Sequence, residues 1–161
     1  MHLASPAALL PLDGRQSAAA LAIARGTRRL LHALGYSVVS ELTLASGRRA
    51  DLVALGGSGE IWIIEMKSSV ADLRADHKWT DYHMHCDRLF FATAVDVPRG
   101  IFPADAGLIV ADAFGGLVLR EAPEHRLHAA TRKSMLLAFA RATALRLAAL
   151  SDPQGPCGAE M

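Results

Sequence analysis

The stretch DLVALGGSGEIWIIEMK, Asp51 to Lys67, decides the fold. Two apolar runs of strand length flank GGSG, a turn signal, so the segment reads as a hairpin of Arg49–Leu55 and Ile61–Lys67. IWII is apolar at every position, the pattern of a strand covered on both faces. Charged groups nevertheless stand at the open end. Asp51 opens the first run, and Glu65 and Lys67 close the second. Burying charge is costly unless it is paired or bound to a metal.

The hairpin register sharpens the conflict. If Gly56–Glu60 is the connection and Leu55 faces Ile61, counting outward places Asp51 opposite Glu65 and Arg49 opposite Lys67. Period-two alternation then puts all four on one face. Opposed β-carbons lie about 4.5–5.5 Å apart, a separation at which two carboxylates repel. A divalent cation between them removes the repulsion. Oxygen ligands favour Mg²⁺, with Mn²⁺ able to substitute, and Mg²⁺ sites take one or two carboxylates plus water and substrate phosphate. The backbone carbonyl of Met66 is positioned to add an oxygen. Glu41, on the outward parity of the preceding strand, is a further candidate acid. Lys67 would face whatever the cation holds, and the set Asp51, Glu65 and Lys67 suits metal-assisted phosphodiester hydrolysis. The plainer reading is three solvent-facing salt-bridge partners. It holds for any one of them, but less well for all three beside such apolar runs.

Working outward, Ser17–Leu34 is expected to be a helix capped by Ser17, with Gly35 just past its end. Tyr36–Leu44 alternates as a strand. Asp72 to about His85 is expected to be one helix, followed by strands Arg88–Val95, Leu108–Asp112 and Leu117–Arg120. A long helix closes the chain from about His128 to Leu150, with Met135, Leu136, Phe139, Thr143 and Leu147 on one stripe. The order αβββαβββα predicts a mixed β-sheet flanked by helices in a single α/β domain over residues 17–150. Residues 1–16 and 151–161 read as flexible termini.

Hydrophobic residues make up 52% of the 161 residues and charged residues 20%, a globular composition. Net charge is +1, so nucleic-acid binding would need a local basic patch. Two cysteines, Cys86 and Cys157, do not make a disulfide framework, and a reducing, cytoplasmic setting is expected. No run reads as a membrane span. HMHC, His83–Cys86, lacks a second ligand pair at zinc spacing.

Asp51 followed by Glu65-Met66-Lys67 resembles the PD-(D/E)xK nuclease superfamily. The longer stretches ELTLASGRRADLVAL, IWIIEMKSSVADLRADHKWTDY, CDRLFFA and GLIVADAFG are similar to the MmcB-like family of bacterial DNA repair proteins. The resemblance spans about Ser17 to Leu150. It implies a restriction-endonuclease-like core, Mg²⁺ dependence and a role in DNA damage repair. Asp51 and Glu65 match the metal-binding acids and Lys67 the catalytic lysine. Ala50 stands where the superfamily pattern has proline.

Arg48 and Arg49 are candidate phosphate contacts, or else ion-pair partners of Asp51 or Glu41. Lys78 and Tyr82, four apart on the expected second helix, would share a face that could meet DNA; the alternative makes Trp79 and Tyr82 core anchors, the favoured reading for Trp79. The leading expectation is thus a Mg²⁺-dependent DNA endonuclease or nuclease-like repair factor, acting alone, as a homodimer or with other repair proteins. The rival is a DNA- or partner-binding module that keeps a nuclease fold without hydrolysis.

Overall fold

The computed structural model describes residues 17–155. The expected leader, 1–16, and positions 156–161 of the expected tail, Cys157 included, lie outside them. Helix α1 spans Ala18–Ala33, and Ser17 Oγ accepts the Ala20 amide at 3.2 Å as its cap. Strands β1 (Ser37–Thr43), β2 (Arg49–Leu55) and β3 (Ile61–Met66) follow, then helix α2 (Val70–Ala75) and a 3₁₀ helix, Trp79–His85. Strands β4 (Arg88–Thr93), β5 (Gly107–Ala111) and β6 (Gly116–Arg120) precede helix α3, Ala129–Ser151.

The six strands form one sheet in chain order. β1, β2 and β3 are antiparallel, β3, β4 and β5 are parallel, and β6 returns antiparallel to β5. This is the mixed α/β sheet expected from the strand and helix order. The hairpin between β2 and β3 closes with Gly56 N–H donating to the Glu60 carbonyl at 2.8 Å and Gly59 at φ +89°. Leu55 pairs with Ile61 and Leu52 with Ile64, so the expected register holds that far, and the expected pairs Asp51–Glu65 and Arg49–Lys67 lie beyond the end of the ladder.

The expected second helix is broken. Asp76 leaves the helical region at φ −91°, ψ 100°, and its Oδ1 accepts the Lys78 amide at 2.9 Å. An aspartate that bonds the backbone two residues on competes with helix continuation. The chain therefore restarts at Trp79 as a 3₁₀ helix.

Each sheet face has its own core. On one, Ile23 and Leu31 of α1 pack on Leu52, Trp62, Ile64 and Phe90. On the other, Val53, Ile61, Ile63 and Leu89 meet Tyr82, Cys86 and Met135. Asp87, buried, ties α3 and the segment before it to the sheet. It accepts the Ile61 amide at 2.8 Å, the Leu127 amide at 2.9 Å, and both arms of Arg132 at 2.7 and 2.8 Å.

Helix α3 departs from the expected stripe. Met135 is buried and Leu136 and Phe139 are partly so, but Thr143 and Leu147 are exposed. Among the described residues α3 is long and apolar enough to cross a membrane by length and composition, which the sequence reading did not anticipate. Here it is fastened to the sheet. Arg132 holds Asp87, and Arg146 donates to the carbonyls of Ser40 and Glu41.

Candidate functional site

The site lies where β2 and β3 part. The β2–β3 ladder runs from Leu55–Ile61 to Leu52–Ile64 and stops. Beyond it β2 stays with β1, through Ala50–Leu42 and Arg49–Thr43. β3 stays with β4, through Glu65–Phe91 and Met66–Ala92. Each strand follows its outer neighbour, and a notch opens between them. Side chains fill the place of the missing ladder bonds. The Asp51 amide donates to Glu65 Oε1 at 3.1 Å, and the Met66 amide donates to Asp51 Oδ2 at 2.8 Å. Because N–H and C=O of one strand residue point the same way, the Met66 carbonyl also faces the notch.

The two carboxylates are thus drawn into the same gap. Burial raises the pKa of Asp51, against the pull of the Met66 amide and of Lys67. Burial, and then the Asp51 charge, push Glu65 well above the usual carboxylate range. Glu65 is only 5% exposed. A pair that disfavours double ionisation this strongly is one that a bound cation stabilises.

Lys67 does not sit on either acid. Its Nζ lies 2.7 Å from Asp76 Oδ2, and the two side chains are 12% and 15% exposed. The Lys67 backbone is fixed to β4: its amide donates to the Ala92 carbonyl at 2.9 Å, and its carbonyl accepts the Thr93 hydroxyl at 2.7 Å. Asp76 is held below its usual pKa. Burial pushes it upward, but the bonds from Lys67, Lys78 and Trp79 outweigh that.

Glu41 borders the acids from β1. The pairs Ser40–Leu52 and Leu42–Ala50 bracket it opposite Asp51, whose pKa its charge helps to raise. It is the one non-glycine among the described residues with positive φ, at 53°. Such a conformation costs free energy and persists where the surroundings impose it. Arg146 of α3, donating to the carbonyls of Ser40 and Glu41, imposes it here. Glu41 Oε2 lies 3.3 Å from Arg49 Nη1, so Arg49 takes the ion-pair role that was the alternative to a phosphate contact. Arg48 pairs with Asp81 at 2.6 Å. Both arginines remain at the rim.

Lys78 and Tyr82 do not share a face. A 3₁₀ turn has three residues and not 3.6, and Lys78 is exposed while Tyr82 is buried. The Tyr82 hydroxyl donates to the Arg49 carbonyl at 3.1 Å, so this residue supports β2 from within the core and offers no surface to DNA. Asp76 and Arg146 were missed in the sequence. Asp76 opens DHKWTDY, and an aspartate able to accept the amide two residues on is a local signal against helix continuation. Arg146 left no local signal, because its partners lie more than a hundred positions away.

Among the described residues no three His, Cys, Asp or Glu side chains are grouped to hold a metal ion. The donor set is two coupled carboxylates and a backbone carbonyl. That fits Mg²⁺ or Mn²⁺, which complete their shell with water and substrate oxygens, and does not fit an all-protein cage.

A six-stranded mixed sheet that parts between inner strands to present Asp51, Glu65 and Lys67 defines an α/β domain with an Asp…Glu-x-Lys centre. The chain belongs to the DNA repair protein MmcB-like family, which it matches over residues 8–154. Its fold is also that of a solved structure, the SPO1766 protein of unknown function from Silicibacter pomeroyi. The two share 44% identity with a TM-score of 0.83, over 87% of this chain and 96% of that one. No curated protein matches.

Proposed function

We propose that this member of a DNA repair family is a divalent-cation-dependent deoxyribonuclease of the PD-(D/E)xK, restriction-endonuclease-like kind, acting on damaged or branched DNA. The observation that carries the reading is the buried Asp51–Glu65 pair in the notch between β2 and β3. Asp51, Glu65 and the Met66 carbonyl would hold Mg²⁺ or Mn²⁺, with Glu41 adjacent. When bound, the cation supplies Lewis-acid polarisation of a phosphoryl oxygen. The protein's own groups do the rest. The rigid strand ends fix the scissile phosphate in one orientation, and the rim arginines Arg48 and Arg49 would exchange their ion pairs with Asp81 and Glu41 for neighbouring phosphates. The Lys67 ammonium stabilises negative charge that builds on the phosphate as water adds and the ester oxygen leaves.

Purified protein is incubated with supercoiled, nicked, flap and cross-linked DNA in Mg²⁺ or Mn²⁺. Cleavage of at least one substrate that Glu65→Gln lowers about a hundredfold or more supports the reading. Equal cutting by both proteins points to a contaminant.

One observation favours a second reading, a DNA- or partner-binding module without hydrolysis. Every charged member of the site has a protein partner, since each acid accepts an amide and Lys67 lies on Asp76. DNA binding that is unchanged in EDTA, with no substrate cut, selects that reading.

A further inference from the structure

Lys67 has two sets of negative charge within reach and sits on only one. Its backbone leaves β3 directly after Glu65 and Met66, beside the notch that holds the acid pair, and its charge acts on both Asp51 and Glu65. Its ammonium nevertheless rests on Asp76, 2.7 Å away. Asp76 is built to hold it there. Its Oδ1 is engaged by the Lys78 amide at 2.9 Å, its backbone breaks the helix, and its Oδ2 is left aimed at Lys67. We propose that Asp76 is a positioning residue whose carboxylate draws the Lys67 ammonium off the Asp51–Glu65 pair, so that the pair's oxygens stay open to a divalent cation.

The reason is competition. A buried acid pair beside an unclaimed ammonium would take it as counter-ion, and a divalent cation would then have to displace it. With Asp76 present the lysine is already neutralised, yet it stays close enough to act on a phosphate that arrives with the cation. This role rests on reading Asp51 and Glu65 as a cation site.

The test is Mn²⁺ affinity measured by calorimetry on the full chain, without DNA, for wild type, Asp76→Asn, Lys67→Met and the double variant. Asparagine keeps a side-chain oxygen for the Lys78 amide, so the turn is retained. Asp76→Asn is expected to bind Mn²⁺ about tenfold more weakly, and adding Lys67→Met is expected to restore most of that loss. Asp76→Glu is expected to bind within about threefold of wild type. A merely structural role for Asp76 predicts no rescue by removing the lysine. Wild-type affinity in Asp76→Asn, or a double variant as weak as Asp76→Asn, overturns the role of Asp76 and leaves the cation site standing. Absence of Mn²⁺ binding by the wild type overturns the cation site and this role with it.

Discussion

Asp51 and Glu65 pair through side chain and backbone, where the register alone would have them pair backbone to backbone: the amide of one donates to Oε1 of the other at 3.1 Å. The carboxylates thereby replace ladder bonds at the point where two strands part company, and they are buried as a consequence. A raised folded-state pKa means that the folded protein binds protons more tightly than the unfolded chain. Stability is therefore fully present below the ordinary carboxylate range and falls as pH rises through the raised values. In EDTA, Glu65→Gln removes this penalty, and chemical unfolding at pH 8 should show the variant about 1–2 kcal/mol more stable than wild type. The same variant should gain nothing from Mn²⁺. Wild type at a hundredfold excess over its Kd should gain about 2.7 kcal/mol.

Asp87 shows the opposite sign. Burial opposes its ionisation, but the Arg132 fork and the amides of Leu127 and Ile61 outweigh it and hold its pKa at about 2. That contribution is present above the ordinary aspartate range and is lost as pH falls toward 2. Asp87→Asn leaves Arg132 without its charge partner and should lower stability by about 3 kcal/mol. Its acid-unfolding profile should be correspondingly flatter between pH 4 and 2 than that of wild type.

Gly26 sits where α1 crosses the turn between β5 and β6. A β-carbon there would stand 1.9 Å from the Asp112 carbonyl oxygen and 2.4 Å from that of Gly115. Both obstacles are backbone and cannot rotate away. Gly26→Ala, favourable in an isolated helix, should here cost about 3 kcal/mol, read as a lowered unfolding midpoint.

Glu41 tests the strain at the notch. Glycine adopts positive φ without steric cost, so Glu41→Gly should raise the stability of the metal-free protein by about 0.5–1 kcal/mol. The ion pair with Arg49, whose own side chain is 56% exposed, offsets part of this. Glu41→Gln keeps the backbone strain and should leave stability unchanged within about 0.5 kcal/mol. If Glu41 borders the cation, both variants should weaken Mn²⁺ binding alike. Paired calorimetry and denaturant titrations separate the two effects.

Much of this was legible one residue at a time. The GGSG turn and the parity of DLVAL and IWII specify the β2–β3 register, because a short hairpin leaves little freedom to slip. On that basis Asp51 and Glu65 are expected to meet, and their backbone and carboxylate groups bond across the gap, whereas the Lys67 ammonium lies on Asp76. The second helix was misread because apolar spacing at Leu73, Trp79 and Tyr82 suits a continuous helix. The side chain of Asp76, which breaks it, shows no periodicity. For the same reason the pattern leaves Tyr82 open between a DNA-facing position and the core, and burial decides for the core.

The amino-acid sequence alone determined which strands form, how the central hairpin is registered, and which acids and lysine stand at its open end. These follow from local pattern and short connections. Tertiary structure decided the rest. β2 is held by β1 and β3 by β4, so the strands part and the acids enter the gap. Asp76 takes the lysine, and Arg146, from the far end of the chain, bonds the Glu41 carbonyl at its strained position in β1. Those outcomes depend on which distant group arrives to satisfy a charge or a carbonyl. Period and propensity carry no record of that choice, because it is made by packing.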